Sequence, residues 1–233
     1  CPGAAVVPPK VAPLADKEAE KLEIDIFSSP FDETSVDLLE ELNTKMYKIA
    51  SPEIFDIGLI EYVAKTRKPV ILSTGLANKI DIELAINTLK DGGCKEIVLL
   101  KCTTAYPAPF NEVNLKTMVD YENEFNVVSG LSDHTLGTEV PLAAATLGAA
   151  VIEKHFVIKG DDTVDSFFSL DAESFKDMII KIRNIEKSLG AVDYSVSKEA
   201  EKNIWAKRSL YFYKDVKKFI NIWLYYIDSI FKT

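Results

Sequence analysis

From residue 24 onward, short apolar runs rich in β-branched residues alternate with stretches whose apolar positions recur at helical spacing. The runs are 24–29, 46–51, 69–74, 96–103, 126–133 and 151–157, and between them lie 33–42, 57–65, 81–90, 115–124 and 139–147. Two of the intervening stretches show the period directly. Ile82, Ala85, Ile86 and Leu89 fall at i, i+3, i+4 and i+7, and Val140, Ala143, Ala144 and Leu147 repeat the pattern. A longer helix is expected from Asp171, placed to cap it, to Gly190, placed to stop it, with Phe175, Met178, Ile179, Ile182, Ile185 and Leu189 as its apolar stripe. Strand, helix, strand at this spacing predicts an α/β chain with a parallel sheet covered by helices. Six such units are two short of the eight that close a (β/α)8 barrel. They also match an open doubly wound sheet of five or six strands. The periodicity does not choose between the two.

Polar residues add direction to this pattern. Each apolar run ends in small polar or ionisable groups: Ser28 and Ser29; Lys48, Ser51 and Glu53; Ser73, Thr74 and Gly75; Thr103 and Thr104; Ser132, Asp133 and His134; Lys154 and His155. The carboxyl ends of parallel strands share one rim, and ligands bind at that rim in barrels and open sheets alike. Hydroxyls, one lysine and the Gly75 backbone suit a phosphate. His134 and His155, the only histidines in the chain, end successive runs. Two neighbouring imidazoles with open positions suit Mn, Fe or Zn better than Ca. Each feature also has a plainer reading. A strand-end histidine is commonly a hydrogen-bonded structural residue, Glu53 could cap the following helix, and Cys94 and Cys102 read as buried packing residues. Lys48 among apolar neighbours is costly unless it meets an anion.

Composition narrows the partners. A formal net charge of -9 argues against a nucleic-acid surface. Three cysteines, Cys1, Cys94 and Cys102, form neither a disulfide framework nor a zinc spacing, so a reducing cytoplasm is expected. The apolar stretch 219–231 is short for a bilayer and is interrupted by Asn221 and Asp228, so no membrane association is expected. Residues 1–15, with four prolines among Ala and Val, read as irregular, and a helix-forming stretch at 15–22 leads into the first run.

Six stretches on this rim carry a resemblance. Phe-Ser-Ser-Pro-Phe (27–31), Tyr-Lys-Ile-Ala-Ser-Pro-Glu (47–53), Ile-Leu-Ser-Thr-Gly (71–75), Cys-Thr-Thr-Ala-Tyr-Pro (102–107), Gly-Leu-Ser-Asp-His-Thr (130–135) and Glu-Lys-His-Phe (153–156) resemble the sialic acid synthase family, in the family's order. That family includes the neuraminate, legionaminate and pseudaminate synthases. Together the stretches cover roughly residues 23–213, and six motifs in order are far more specific than any one.

The resemblance implies a TIM-type (β/α)8 barrel, incomplete here, whose visible units match the third to eighth of the family. It implies a transferase that condenses phosphoenolpyruvate with an open-chain N-acetylated amino sugar and releases phosphate. Manganese is the expected cofactor, with Mg2+ or Co2+ as alternatives. By position, Ser29, Lys48, Ser51, Ser73, Thr104 and Ser132 surround phosphoenolpyruvate, His134 and His155 hold the metal, and Glu53, Tyr106 and Asp165 face the sugar. Lys48 and Glu53 are the expected catalytic pair. Ser29 stands where Thr is common in the family, and Thr104 where Asn or Ser is common. The loop Thr163-Val164-Asp165-Ser166 and the stretch Ala105-Tyr106-Pro107-Ala108-Pro109 look more like pseudaminate synthases. The expected acceptor is therefore 2,4-diacetamido-2,4,6-trideoxy-altrose, giving pseudaminic acid. N-acetylmannosamine is the alternative acceptor, and an inactive fragment that only binds is a further alternative.

Against the family pattern, residues 1–22 are expected to be an atypical segment, 23–190 a partial barrel, and 191–233 a linker with the start of a C-terminal antifreeze-like domain. The family's first two strands supply an acidic residue and a second lysine that are not found here, and Phe219 stands where the pattern expects Gly. Weak or absent synthase activity is accordingly expected of this chain alone. The homodimer usual in the family is in doubt without most of the C-terminal domain.

Overall fold

The computed structural model describes residues 12–208. Residues 1–11 of the segment expected to be irregular, Cys1 among them, and residues 209–233, with the apolar stretch 219–231, lie outside the described residues, whereas residues 12–15 of that segment are helical rather than irregular. Two compact units divide at Gly190 and Ala191. The described part of the second holds only α8 (Lys198–Glu201), capped by the Ser197 side chain, and a turn of 3-10 helix at Ile204–Ala206.

In the first unit, α1 (Ala12–Lys21) and α2 (Glu33–Glu41) precede a regular alternation. It runs β1 (Tyr47–Ile49), α3 (Ile57–Ala64), β2 (Val70–Ser73), α4 (Lys79–Asp91), β3 (Ile97–Cys102), α5 (Leu115–Phe125), β4 (Val128–Asp133), α6 (Glu139–Thr146), β5 (Val151–Lys154) and α7 (Ala172–Leu189). All four strand pairings are parallel. The spatial order β1-β2-β3-β4-β5 is the chain order. A doubly wound sheet would reverse direction at a switch point. Here every unit adds on the same side, which is barrel winding, and the five strands form part of a barrel wall.

The winding follows from how the strand residues divide between faces. Tyr47, Ile49, Val70, Leu72, Ile97 and Leu99 alternate along the first three strands and pack against Ile60, Val63, Ala64, Ala85, Ile86 and Leu89 of α3 and α4 in one buried cluster. Val113, Met118, Leu131, Val140 and Ala144 make a second cluster beneath α5 and α6. The intervening residues, Lys48, Ser73, Cys102 and Ser132 among them, turn to the opposite face, as a period of two requires. Local capping starts the helices where the sequence places polar residues. At α4 the Asn78 side chain accepts from Ile80 and Asp81 N–H, and the Asp81 carboxylate accepts from Asn78 N–H in return. The Asp171 side chain likewise caps α7.

One expected strand is not formed. Residues 24–29 run beside β1 without joining the sheet, tied to it by the hydrogen bond from Lys48 N to Ser28 O at 3.2 Å. The six-strand expectation therefore becomes five. Ile24, Ile26 and Phe27 remain substantially exposed, so burial does not hold this run in register as it holds the others. β-propensity acts mainly through such packing.

Gly130 is a point of tight fit in the sheet. A Cβ there would lie 2.4 Å from the Val151 carbonyl oxygen and 2.7 Å from Leu100 Cδ2. The first of these is backbone of the neighbouring strand and cannot rotate away. Gly130→Ala is expected to destabilise the fold by about 2–3 kcal/mol through overpacking, read as a lower urea midpoint. An unchanged midpoint would show that β4 and β5 can separate freely at this rung.

Candidate active site

The carboxyl ends of β1 to β5 bring most of the sequence-selected residues into one connected set. Lys48, in the middle of β1, is buried. Its Nζ donates to Ser73 Oγ at 2.8 Å and to the Ile49 carbonyl at 3.3 Å. It also lies 3.6 Å from Glu153 Oε2. Glu153 in turn accepts from Ser132 Oγ at 2.6 Å. The anion that a buried lysine needs is thus a resident carboxylate reaching over from β5. Beside this group, Ser51 Oγ accepts from Gly75 N–H at 2.9 Å. A Cβ on Gly75 would lie 2.1 Å from Thr104 Oγ1 and 2.9 Å from both Cys102 Sγ and Ser51 Oγ. Glycine at this position is what lets three polar side chains converge on the backbone.

The two histidines meet at the other end of the rim. Their ring centroids are 5.2 Å apart, in an edge-on arrangement. The Tyr106 ring lies 4.4 Å from His134 and 6.1 Å from His155, and Phe168 lies 4.8 Å from His155, so two aromatic rings wall the pair. His134 Nδ1 is 2.9 Å from the Thr103 carbonyl oxygen. A carbonyl can only accept, so Nδ1 carries the proton and Nε2 keeps its lone pair. His155 Nδ1 faces Asp165 Oδ2 at 3.6 Å. Burial works against a charged His134, but the neighbouring Cys102 thiol and the Thr103 carbonyl outweigh it and raise its pKa above the usual imidazole value. Burial, followed by the nearby His134, lowers that of His155. The pair is thereby pushed apart in basicity, a feature common where two like groups serve one site.

Two buried oxygens in the set have no hydrogen-bond partner, Glu53 Oε2 and Thr104 Oγ1. Such atoms are costly to bury unpaired, and both belong to residues that the sequence pattern selects. Glu53 opens the 3-10 turn Glu53–Phe55 that follows β1. Ser29 is the least connected of the selected residues, joined to the rim through the backbone of its neighbour Ser28.

Sequence reasoning passed over two members of the set. Glu153 was visible as the residue two before His155, hence on the same face of β5, and register places it beside Ser132. Cys102 is buried, as a packing residue would be, yet its Sγ lies 3.9 Å from His134 Nδ1. Burial raises its pKa, but His134, Ser51 and Ser132 together outweigh burial and bring it below the usual thiol value.

A singly wound parallel sheet with lysine, hydroxyl, carboxylate and imidazole groups gathered on its carboxyl rim is the layout of a barrel enzyme's ligand site. The chain belongs to the NeuB family, which matches residues 7–194. It is 45% identical over 202 residues to a pseudaminic acid synthase of Helicobacter pylori, covering 86% of this chain and 59% of that protein. It is 47% identical over 204 residues to an N,N'-diacetyllegionaminic acid synthase of Campylobacter jejuni, covering 86% of this chain and 61% of that protein. The chain therefore spans about three fifths of the length of these relatives. Among solved structures, an N-acetylneuraminic acid synthetase from Leptospira borgpetersenii, in complex with citrate, superimposes with a TM-score of 0.77 at 29% identity, covering 88% of this chain and 72% of that one. No helix among the described residues is long and apolar enough to cross a membrane.

Proposed function

We propose that the chain carries the phosphoenolpyruvate- and metal-binding part of a nonulosonic acid synthase, which condenses phosphoenolpyruvate with an open-chain N-acetylated amino sugar and releases phosphate. The observation that carries this reading is the convergence of Lys48, Ser51, Ser73, Thr104, Ser132, His134 and His155 on one rim, in a chain of this family.

The chemistry of each group supports its role. Lys48 Nζ, already fixed by Ser73, offers charge to a phosphate or carboxylate. The hydroxyls of Ser51, Ser73 and Ser132 and the unpartnered Thr104 Oγ1 supply further hydrogen bonds on the same rim. Glu53, with a buried carboxylate oxygen awaiting a donor, suits a sugar hydroxyl or amide. Tyr106, beside the histidines, offers an aromatic wall to the sugar, and Asp165 reaches the same place from the loop after β5. Ser29 would close the phosphate end from the run beside β1.

A divalent cation, Mn2+ in our reading, fits the two imidazoles because Nε2 of His134 is left free by the Nδ1 bond to Thr103. Among the described residues no group of three or more His, Cys, Asp or Glu side chains is placed to hold a metal. Substrate oxygens and water would therefore complete the coordination. When bound, such a cation supplies Lewis acidity to the sugar aldehyde. The rim itself carries Lys48 against Glu53, Glu153 and Asp165, so added positive charge also favours an anionic substrate there. In the reaction the methylene carbon of phosphoenolpyruvate forms the new bond to the aldehyde carbon, and water adds at the enol carbon. Phosphate then leaves by C–O cleavage. Lys48 and the hydroxyls hold the phosphate and orient the methylene carbon towards the aldehyde.

For the acceptor we favour 2,4-diacetamido-2,4,6-trideoxy-altrose, on the sequence of the 163–166 loop. The similar identity to the legionaminic acid synthase supports a second diacetamido sugar as the alternative. The test is phosphate release from phosphoenolpyruvate with Mn2+ and a panel that includes both sugars and N-acetylmannosamine. Of the three sugars, the altrose derivative is expected to support the fastest release, however slow that release is. Release with N-acetylmannosamine alone would overturn the acceptor. A folded chain that neither binds phosphoenolpyruvate nor releases phosphate would overturn the function.

A further inference from the structure

The two histidines lie just past the last rung of the β4–β5 ladder, and that rung is a buried ion pair. Asp133 and Lys154 are register partners, and each immediately precedes a histidine. Lys154 Nζ lies 2.6 Å from Asp133 Oδ2, with the two side chains 0% and 1% exposed. Thr135, also fully buried, closes the unit. Its hydroxyl donates to both oxygens of Asp133 at 3.0 and 3.1 Å, its N–H donates to Oδ1 at 3.2 Å, and its carbonyl accepts from Lys154 Nζ.

Such a pair calls for an explanation. Desolvating two charges roughly cancels their attraction, and an apolar pair of similar volume stabilises a fold as well or better. Its placement supplies a geometric one. The pairing of β4 with β5 ends at Asp133 and Lys154, and both imidazoles ride on the chain as it leaves this ladder. The carboxylate of Asp133, on one side of His134, binds Thr135 on the other side and ties both to Lys154, the residue before His155. On the far sides, Ala108 N–H donates to the His134 carbonyl and Leu170 N–H to the His155 carbonyl, each at 2.9 Å. Every backbone segment next to an imidazole is thereby pinned.

We propose that Asp133, Lys154 and Thr135 are positioning residues, a buried clamp that sets the separation and tautomers of His134 and His155. The clamp bears on catalysis only through the metal-binding reading given above, but its effect on the imidazoles is measurable without metal. The full chain contains two histidines, so histidine-labelled protein gives two imidazole spin systems by NMR. In the native chain we expect His134 as the Nδ1–H tautomer and a ring-to-ring NOE. Asp133→Leu combined with Lys154→Met removes both charges at similar volume. This variant is expected to stay folded, lose the NOE and mix the tautomers, and bind Mn2+ about tenfold more weakly or worse. Thr135→Val, a milder change, is expected to shift the His134 signals and leave those of His155. A folded double variant with native imidazole signals would overturn the clamp. Should that variant not fold, unchanged His134 signals in Thr135→Val would overturn it. Altered imidazoles with undiminished Mn2+ affinity would uphold the clamp and count against the histidines as metal ligands.

Discussion

Lys48→Met is expected to leave the fold intact and to weaken phosphoenolpyruvate binding about a hundredfold. The fold should survive because the partner left behind, Glu153, keeps its 2.6 Å bond from Ser132 and is 42% exposed. Water can therefore solvate it, so no buried charge is left uncompensated and the stability lost is small. Binding should suffer far more. The ammonium is buried on the rim, and truncating one member of a buried charged contact costs about 2–5 kcal/mol, of which 2.8 is already a hundredfold. The variant also leaves Glu153 facing the incoming anion without its neutralising neighbour. Calorimetric titration reads the effect. A Lys48→Met chain that binds phosphoenolpyruvate as the native one does would remove Lys48 from the site.

The second large effect is expected at a residue with no functional group. Gly75→Ala puts a methyl carbon where Thr104 Oγ1, Cys102 Sγ and Ser51 Oγ now converge, at 2.1, 2.9 and 2.9 Å. Side chains can rotate, so the chain should fold, with a stability loss of about 1–3 kcal/mol. Ser51 cannot keep its bond from Gly75 N–H while making room, and Thr104 must turn its hydroxyl aside. Displacements near 1 Å in a positioned site commonly cost about a hundredfold in rate. Phosphate release, however slow in the native chain, is expected to fall by that order relative to it, while the denaturation midpoint falls only modestly. Native-like turnover in Gly75→Ala would mean that this convergence plays no part in holding substrate.

Much of this site was legible in the sequence because barrel rims obey a simple rule. Polar residues that end successive apolar runs must share one edge if the runs are parallel. The pairing of His134 with His155 needed only that rule, and so did the grouping of Lys48, Ser73 and Ser132. What the pattern could not supply was winding. Six runs fit an open sheet as well as a barrel, and only the unbroken order of the strands distinguishes them. The run at 24–29 misled because strand propensity was read without knowing what its side chains would be packed against. Glu153 was passed over for a related reason. It stands in a motif whose more conspicuous member is His155, and its meeting with Lys48 spans the face of the sheet from β5 to β1. Contacts of that range lie outside any local pattern. The Asp133–Lys154 clamp is likewise invisible until register places the two residues opposite each other.

In the proposed function this rim holds phosphoenolpyruvate and a divalent cation together. The most direct measurement is calorimetric titration of the chain with phosphoenolpyruvate, with and without Mn2+, in the native form and in His134→Ala. Mn2+ is expected to strengthen binding in the native chain and not in His134→Ala. Equal phosphoenolpyruvate affinity with and without Mn2+ in the native chain, or the same Mn2+ enhancement in His134→Ala, would contradict it.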